Sequence, residues 1–77
     1  MPKTKALALS LKELGDTVRR ERMAKGMSQQ RLAELAELNI RNVQRIEAGE
    51  VDVLFSTVAR IRKALGVSWA KLMPEGW

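Results

Sequence analysis

The sequence predicts an all-α fold in which five helices pack around one core. Apolar residues recur at intervals of three and four along most of the chain, which is the period of one helix face. Residues typical of helix ends separate these segments. The predicted N-caps are Ser28, Asn39 and Ser68, and the glycines predicted to end helices are Gly26, Gly49 and Gly66. No repeat, low-complexity tract or linker interrupts the sequence, so residues 1–77 are predicted to form a single domain.

The first helix is predicted from an apolar stripe along one helical face. The stripe consists of Leu7, Leu11, Leu14 and Val18. Two starts compete for this helix: Ser10 with Glu13 forms a capping box, whereas Thr4 would cap a longer helix. We favour Ser10 because the leucines at positions 7, 9 and 11 also alternate like a short strand. Residues 1–9 are then predicted to be a mobile arm.

Helices 2 and 3 are predicted over residues 29–36 and 40–48, with a very short connection between them. Only Glu37 and Leu38 remain between the second helix and the cap of the third. A connection this short makes the two helices cross closely and at a steep angle. Such a crossing needs a small residue where the backbones meet, and Ala33 is suitably placed.

Helix 4 is predicted over residues 54–65, after a short loop, with Asp52 as its cap. Its residues predicted to face the core are Phe55, Val58, Ile61 and Leu65. Ser68 then caps a last short helix that runs to Met73, and Pro74 stops it.

The residue inventory excludes most catalytic chemistry. The chain has no Cys and no His, which removes disulfides, the commonest metal ligands and the commonest general base. Its serines are explained by capping or surface positions, and we find neither a paired-carboxylate spacing nor a glycine-rich phosphate loop. The sequence therefore predicts no enzyme, no cofactor and no metal. No apolar run approaches the roughly 18 residues of a membrane span, and the N-terminus is not signal-like, so a cytoplasmic protein is expected.

The charge balance favours a polyanionic partner. The net charge is +5 and the pI is about 10.3, which makes nucleic acid the first expectation, although small soluble proteins also carry such charge. Residues 1–25 carry +4, whereas residues 26–49 balance at zero. The predicted third helix contains only two arginines, Arg41 and Arg45, so it is not a basic block. A small number of placed arginines is what direct reading of DNA bases would require.

Three blocks of residues stand in register between Leu14 and Met73. The central block is Gln29, Ala33, Leu38, Val43, Ile46, Glu47 and Gly49. The flanking blocks are Arg22-x-x-x-Gly26-x-Ser28-Gln29 before it and Ile61-x-x-Ala64-Leu65-Gly66-Val67-Ser68 after it. Together they resemble the Cro/phage-repressor (XRE-like) helix-turn-helix family. The resemblance implies a five-helix, lambda-repressor-like DNA-binding domain. One residue departs from the family pattern: Glu37 stands at a turn position where glycine is usual, and a left-handed conformation there would cost about 1 kcal/mol.

In this family the third helix enters the DNA major groove and reads bases with its first turns. The corresponding side chains here are Ile40, Arg41, Asn42, Gln44 and Arg45. Arginine can bond guanine in a fork, asparagine and glutamine can do so with adenine, and isoleucine can contact a thymine methyl. The strongest candidates are Arg41 and Arg45, whereas Gln44 could instead lie sideways toward a phosphate. The alternative for the whole set is an ordinary solvated helix face.

The resemblance also implies phosphate contacts and a structural ion pair. Gln29 matches the family glutamine that binds the DNA backbone at the N-terminus of helix 2, where free N–H groups and the helix dipole favour an anion. Weaker phosphate candidates are Gln30, Arg31 and Asn39. Arg22 matches an arginine that family members often pair with the acid at the end of helix 3, which is Glu47 here.

The C-terminal segment 67–77 concentrates apolar bulk and is the predicted dimer interface. Its residues predicted to contact a second copy are Trp69, Leu72, Met73 and Trp77. Phe55 and Ile61 could share this surface, but for these two and for Leu72 a core position is the better prediction.

Three functions remain open after the sequence. The first is a sequence-specific DNA-binding transcriptional regulator that acts as a homodimer on a near-palindromic operator; phage repressors and controller proteins of restriction–modification systems include chains of this kind. The alternative is the antitoxin of a toxin–antitoxin pair, which binds its toxin and its own promoter. A third hypothesis is a helical adaptor that does not bind DNA.

Overall fold

The computed structural model describes residues 3–74, with side chains from residue 11 onward. Five helices follow one another: α1 (Lys3–Ala24), α2 (Gln29–Ala36), α3 (Ile40–Glu47), α4 (Phe55–Leu65) and α5 (Trp69–Leu72). No strand occurs within residues 3–74, so the predicted all-α, five-helix fold is confirmed. None of the helices in this range is long and apolar enough to cross a membrane.

Helix α1 begins at Lys3, so the favoured start at Ser10 is wrong and the longer helix is correct. A capping residue has a non-helical backbone, whereas Ser10 lies inside the helix. The segment before Ser10 is rich in alanine, leucine and lysine, which are good helix formers. This segment is therefore helical, although its alternating leucines resemble a strand. Met1 and Pro2 lie outside the described residues, and the mobility of residues 1–9 stays a prediction.

A side-chain cap begins each of the helices α2 and α3. The Ser28 hydroxyl accepts a hydrogen bond from the Arg31 N–H at 3.0 Å, and the Asn39 side-chain oxygen accepts one from the Arg41 N–H at 2.8 Å. Glu37 ends α2 in the left-handed conformation, with φ 56° and ψ 48°. The next N–H, that of Leu38, then donates to the Ala33 carbonyl at 2.8 Å and turns the chain into α3.

The core holds α3 from two sides and leaves one of its faces outside. Helix α3 packs on α1 and α2, and α2 also packs on α4. The buried apolar residues form one cluster: Leu14, Val18, Leu32, Ala33, Ala36, Val43, Ile46, Val58, Ile61, Leu65, Val67 and Leu72. Ala33, the small residue predicted at the α2–α3 crossing, is buried in this cluster. Because α3 is braced by two helices, its outward face has a fixed orientation.

A glycine within α1 sets how closely α1 approaches α3, and the sequence analysis missed it. A Cβ atom on Gly15 would collide with the Ile46 carbonyl oxygen and would lie 2.7 Å from the Glu47 carbonyl oxygen. Both oxygens belong to the backbone of the last turn of α3, which cannot rotate away as a side chain could. Only a residue without a side chain therefore permits this helix contact.

The start of α4 differs from the prediction in two respects. The N-cap is Leu54, which makes no side-chain capping bond, so Asp52 is not the cap. Asp52 lies two residues too early, because the capping bond comes from the residue that immediately precedes the helix. Phe55 is the first helical residue and is 65% exposed, so its predicted core position is wrong. The apolar period of the sequence continues into the first turn of α4, where Phe55 lies uncovered, whereas Val58 one turn later is buried.

Helix α5 has the predicted N-cap, but it is shorter than predicted. The Ser68 hydroxyl accepts a hydrogen bond from the Lys71 N–H at 3.1 Å, as expected of an N-cap. Helix α5 ends at Leu72, with Met73 as an extended C-cap, so it is one residue shorter than predicted. Gly66, which is left-handed with φ 69°, ends α4 as predicted.

Candidate nucleic-acid interface

The outward face of α3 carries most of the side chains predicted to read bases. The exposed ones are Arg41, Asn42, Gln44 and Arg45. Val43 and Ile46 are buried on the opposite face, so the helical period divides polar from apolar residues as expected. Ile40 is the exception: it is half-buried and packs against the core, which leaves only part of its side chain for a thymine methyl.

Two clefts flank this face, and each receives one amide side chain of α3. Gln44 lies on the side of α1 and α2, in a cleft of about 390 Å³; its other lining residues are Arg19, Arg22, Gln29, Glu47 and Ala48. We call it the α1–α3 cleft. Asn42 lies on the opposite side, in a cleft of about 200 Å³ formed with the loop before α4. The placement of Gln44 next to Gln29 favours the sideways orientation that the sequence left open.

A buried ion pair ties α3 to α1 at the base of the α1–α3 cleft. The Arg22 Nε donates to Glu47 Oε2 at 2.7 Å, and its Nη2 donates to Glu47 Oε1 at 3.1 Å. The Arg22 Nη1 donates to the Met27 carbonyl at 2.8 Å, which also fixes the turn after α1. Both side chains are largely buried, with 12% of Arg22 and 4% of Glu47 exposed. Glu47 stands at the C-terminus of α3, where the helix dipole disfavours an anion, and the guanidinium offsets that effect.

Gln29 is the third member of this network. Its Nε2 donates to Glu47 Oε1 at 3.0 Å, so the same carboxylate that pairs with Arg22 also orients the amide of Gln29. The bond uses one of the two N–H groups of the amide and leaves the other available. The backbone N–H groups of Gln29 and Gln30 begin α2 and have no acceptor within the helix. These features suit a neutral hydrogen-bond contact to a phosphate.

The weaker phosphate candidates lie on the surface around α2 and its turn. Gln30 Nε2 and Arg31 Nη1 each lie 3.5 Å from an oxygen of Glu34, in exposed pairs that water screens strongly. The side-chain oxygen of Asn39 is already used as the cap of α3. All three are exposed, so they remain accessible to a nucleic acid.

The predicted dimer residues occupy different environments. Leu72 is fully buried in its own chain, so its side chain belongs to the core and does not reach a partner in this conformation. Met73 is half-buried against the core, and Trp77 lies outside the described residues. Trp69 is half-buried and stacks on the Phe55 ring, with centroids 5.0 Å apart and planes within 4°.

The exposed apolar residues of this region come from the start of α4; the sequence allowed an interface position for Phe55 but favoured the core, and it did not single out Leu54. Leu54 is 73% exposed and Phe55 is 65% exposed. The Arg62 guanidinium lies over the Trp69 ring, 5.3 Å from its centroid, and Arg62 Nη1 donates to the Val67 carbonyl at 3.1 Å. We call Leu54, Phe55 and Trp69 the aromatic face. No local signal distinguishes Phe55 from a core residue, because its position fits the same helical period.

Known proteins resemble this chain in sequence and in fold. A family model described as a helix-turn-helix domain matches residues 13–73. No curated protein matches the chain. Among solved structures, the restriction-modification controller protein C.AhdI from Aeromonas hydrophila is 32% identical, with a TM-score of 0.79, over 82% of this chain and 96% of C.AhdI.

Two further solved structures are regulators of the same architecture. The restriction-modification controller protein C.Esp1396I is 27% identical, with a TM-score of 0.74, over 78% of this chain and 77% of that one. The clp gene regulator ClgR from C. glutamicum is 29% identical, with a TM-score of 0.77, over 80% of each chain. The family match covers most of the sequence and includes α2, the turn and α3. The chain therefore belongs to the helix-turn-helix family of DNA-binding transcriptional regulators, the Cro/phage-repressor-like group that its sequence resembles.

Proposed function

We propose that this chain reads a specific DNA sequence with α3 and acts as a homodimer on a near-palindromic operator. The observation that carries the proposal is the outward face of α3, where Arg41, Asn42 and Arg45 are exposed while α1 and α2 hold the opposite face. An α-helix fits the major groove, where each base pair presents a distinct pattern of donors and acceptors. A helix that is braced from behind can present these side chains at a defined depth.

The exposed side chains have different roles in this proposal. Arg41 and Arg45 are one helical turn apart and bond guanine O6 and N7 in a fork. Asn42 is placed for adenine on the flank that faces the loop before α4. Gln44 and Gln29 share the α1–α3 cleft and contact the phosphate backbone, which positions the protein without specifying a base.

Base reading and phosphate binding can be separated by substitution. We expect Arg41→Ala or Arg45→Ala to weaken binding to the preferred site by about 1–3 kcal/mol and to relax the preference at one base pair. Gln29→Ala should weaken binding to every sequence alike and leave the salt dependence nearly unchanged, because a neutral amide releases no counterion. The measurement is the affinity of each variant for a site selected from random DNA and for single-base variants of that site.

Arg60→Ala is a matched control for the loss of one arginine. Arg60 is exposed on α4, in a cleft with Leu35 and Lys63 that contains no residue of α3. The Arg60→Ala variant should keep the preference for the selected site. Its affinity for every DNA sequence should fall only slightly and uniformly, through the lost electrostatic attraction. If both α3 arginine variants weaken all sites uniformly, as Arg60→Ala would, then α3 is not the reading helix; if the unmodified chain has no salt-sensitive affinity for DNA, the adaptor hypothesis gains.

Dimerisation through the aromatic face completes the proposal. Two large apolar side chains at the start of α4 are mostly exposed, and Trp69 adds a stacked ring beside them. Aromatic and apolar residues of this kind concentrate in the centres of protein interfaces. A symmetric dimer would place two α3 helices on half-sites about one helical turn apart, roughly 34 Å.

Sedimentation at micromolar concentration tests the dimer. We expect the unmodified chain to sediment as a dimer and Phe55→Glu to sediment as a monomer, because a buried unpaired carboxylate at the interface is costly. Leu35→Glu is the control, since Leu35 is also an exposed apolar residue but lies on α2. A monomer for the unmodified chain, with and without operator DNA, would contradict the proposal.

The antitoxin alternative uses the same aromatic face for a different partner. It shares the proposed DNA contacts, and it requires a second protein to cover the apolar residues that a second copy covers in the homodimer. Self-association of the purified chain through Phe55 supports the homodimer. A chain that is monomeric alone but binds its operator would favour a separate protein partner.

A further inference from the structure

We infer that Arg19 of α1 binds a phosphate of the DNA backbone beside the α3 face, as an anchoring residue outside the helix-turn-helix unit. The inference rests on the proposed DNA contact and extends it to a helix that so far only braces α3. It identifies the ligand by its chemistry: a phosphodiester anion that a guanidinium meets in the α1–α3 cleft.

The position of Arg19 places a positive charge next to the proposed phosphate contacts. Arg19 is exposed and lines the α1–α3 cleft together with Gln29, Gln44 and Ala48. Gln29 and Gln44 lie on two different helices that converge on this cleft, and both are proposed to face the DNA backbone. A duplex that contacts both amides would therefore pass within reach of the long arginine side chain.

The charges around the cleft leave Arg19 as the available cation. The acid that lines the cleft, Glu47, is held by Arg22 and Gln29 at 2.7–3.1 Å. Three ion pairs occur within the described part of the chain, and none involves Arg19. Among the residues that line the cleft, two arginines stand against one glutamate, so the lining carries a net charge of +1.

The helix dipole does not account for a cation at this position. Arg19 lies five residues before Ala24, where α1 ends, and the basic residue in the last turn is Arg22. The dipole acts mainly within the last turn, so its effect on Arg19 is small. An ordinary solvated arginine is the other explanation, and the neighbouring residue provides the comparison for it. Arg20 is exposed, follows Arg19 directly, and donates to the Thr17 hydroxyl at 3.2 Å.

Guanidinium chemistry favours a phosphate over a base at this site. Arginine binds phosphate oxygens through parallel N–H donors, and such contacts release counterions from the duplex. Arg19 belongs to α1 and lies on the flank of α3, whereas the proposed base contacts come from the outward face of α3. The contact should therefore add affinity without sequence preference.

The salt dependence of DNA binding tests this assignment. Arg19→Gln and Arg20→Gln are compared with the unmodified chain on the selected operator and on unrelated DNA, between 50 and 200 mM salt. One lost phosphate contact lowers the slope of log affinity against log salt by about 0.9. Across this range, the affinity of the unmodified chain should therefore fall about 3.5-fold more than that of Arg19→Gln. Arg20, about 100° away around the helix, does not line the cleft, so Arg20→Gln should keep the original slope.

Each outcome of the comparison has one meaning. A reduced slope for Arg19→Gln alone, on both DNAs and with an unchanged preferred sequence, supports the phosphate contact. Equal slopes for Arg19→Gln and Arg20→Gln, in a chain that still selects its operator, overturn this inference and leave the proposed function intact. If the unmodified chain selects no DNA sequence, the proposed function itself fails, and the inference fails with it.

Discussion

Replacing Glu47 by alanine should lower the free energy of unfolding by about 3–5 kcal/mol, the usual effect of removing one partner from a buried ion pair. Arg22 would keep only its bond to the Met27 carbonyl, and Gln29 would lose its acceptor in Glu47. The Arg22 side chain is only 12% exposed, so water replaces little of the lost interaction. For a chain of this length the melting temperature should fall by about 12 °C or more, measured by thermal unfolding followed by circular dichroism.

Glu34→Ala is the matched control for the loss of an acid. Glu34 pairs with Arg31 at 3.5 Å, and both side chains are more than half exposed, so this pair contributes less than about 1 kcal/mol. The Arg22→Ala/Glu47→Ala double variant should lose less than the sum of the two single losses, because the uncompensated charge is removed as well. Equal small losses for Glu47→Ala and Glu34→Ala would show that Glu47 is an ordinary surface acid.

Replacing Gly15 by alanine should cost about 3 kcal/mol of unfolding free energy, at the upper end of overpacking effects. Helix propensity predicts the opposite sign, since alanine in a helix is favoured over glycine by about 1 kcal/mol. The collision of the new methyl group with the Ile46 carbonyl oxygen outweighs that gain, because α1 would have to move away from α3. Chemical denaturation with circular dichroism detection measures the difference.

Gly26→Ala adds the same methyl group where nothing lies within 4 Å. Its φ of 66° adds a conformational cost of about 1 kcal/mol, so the variant separates backbone strain from collision. The Gly15 variant should therefore be the less stable of the two. A Gly15→Ala variant that is as stable as the unmodified chain would mean that α1 and α3 can separate without loss, and that Gly15 does not control their approach.

Most helix identities could be predicted because they depend on neighbouring residues. The caps Ser28 and Asn39 bond to N–H groups two or three residues away, and the left-handed turn at Glu37 follows from the short distance between α2 and α3. The division of α3 into exposed and buried faces follows from its period. The predicted start of α1 at Ser10 is wrong because a local capping pattern does not outweigh the run of good helix formers that precedes it.

The candidate site was predictable in its residue types and only partly in its arrangement. Periodicity identified the outward positions of α3, but it did not show that Ile40 packs on the core. Sequence spacing does not reveal where neighbouring helices stop covering α4, so it favoured a core position for Phe55 over the interface position that it also allowed. Phe55 satisfies the apolar period and is nevertheless exposed, with Trp69 stacked on it from a distant part of the chain.

The sequence by itself determined the family, the helix order, the N-caps of α2, α3 and α5, and the outward face of α3, because these depend on contacts within a few residues or on a spaced motif. Tertiary structure alone decided that Gly15 meets the backbone of α3, that Glu47 joins Gln29 as well as Arg22, and that Arg19 lines the same cleft. Each of these depends on the distance and angle between helices that are remote in sequence. Those quantities follow from how the whole core packs, and no local pattern records them.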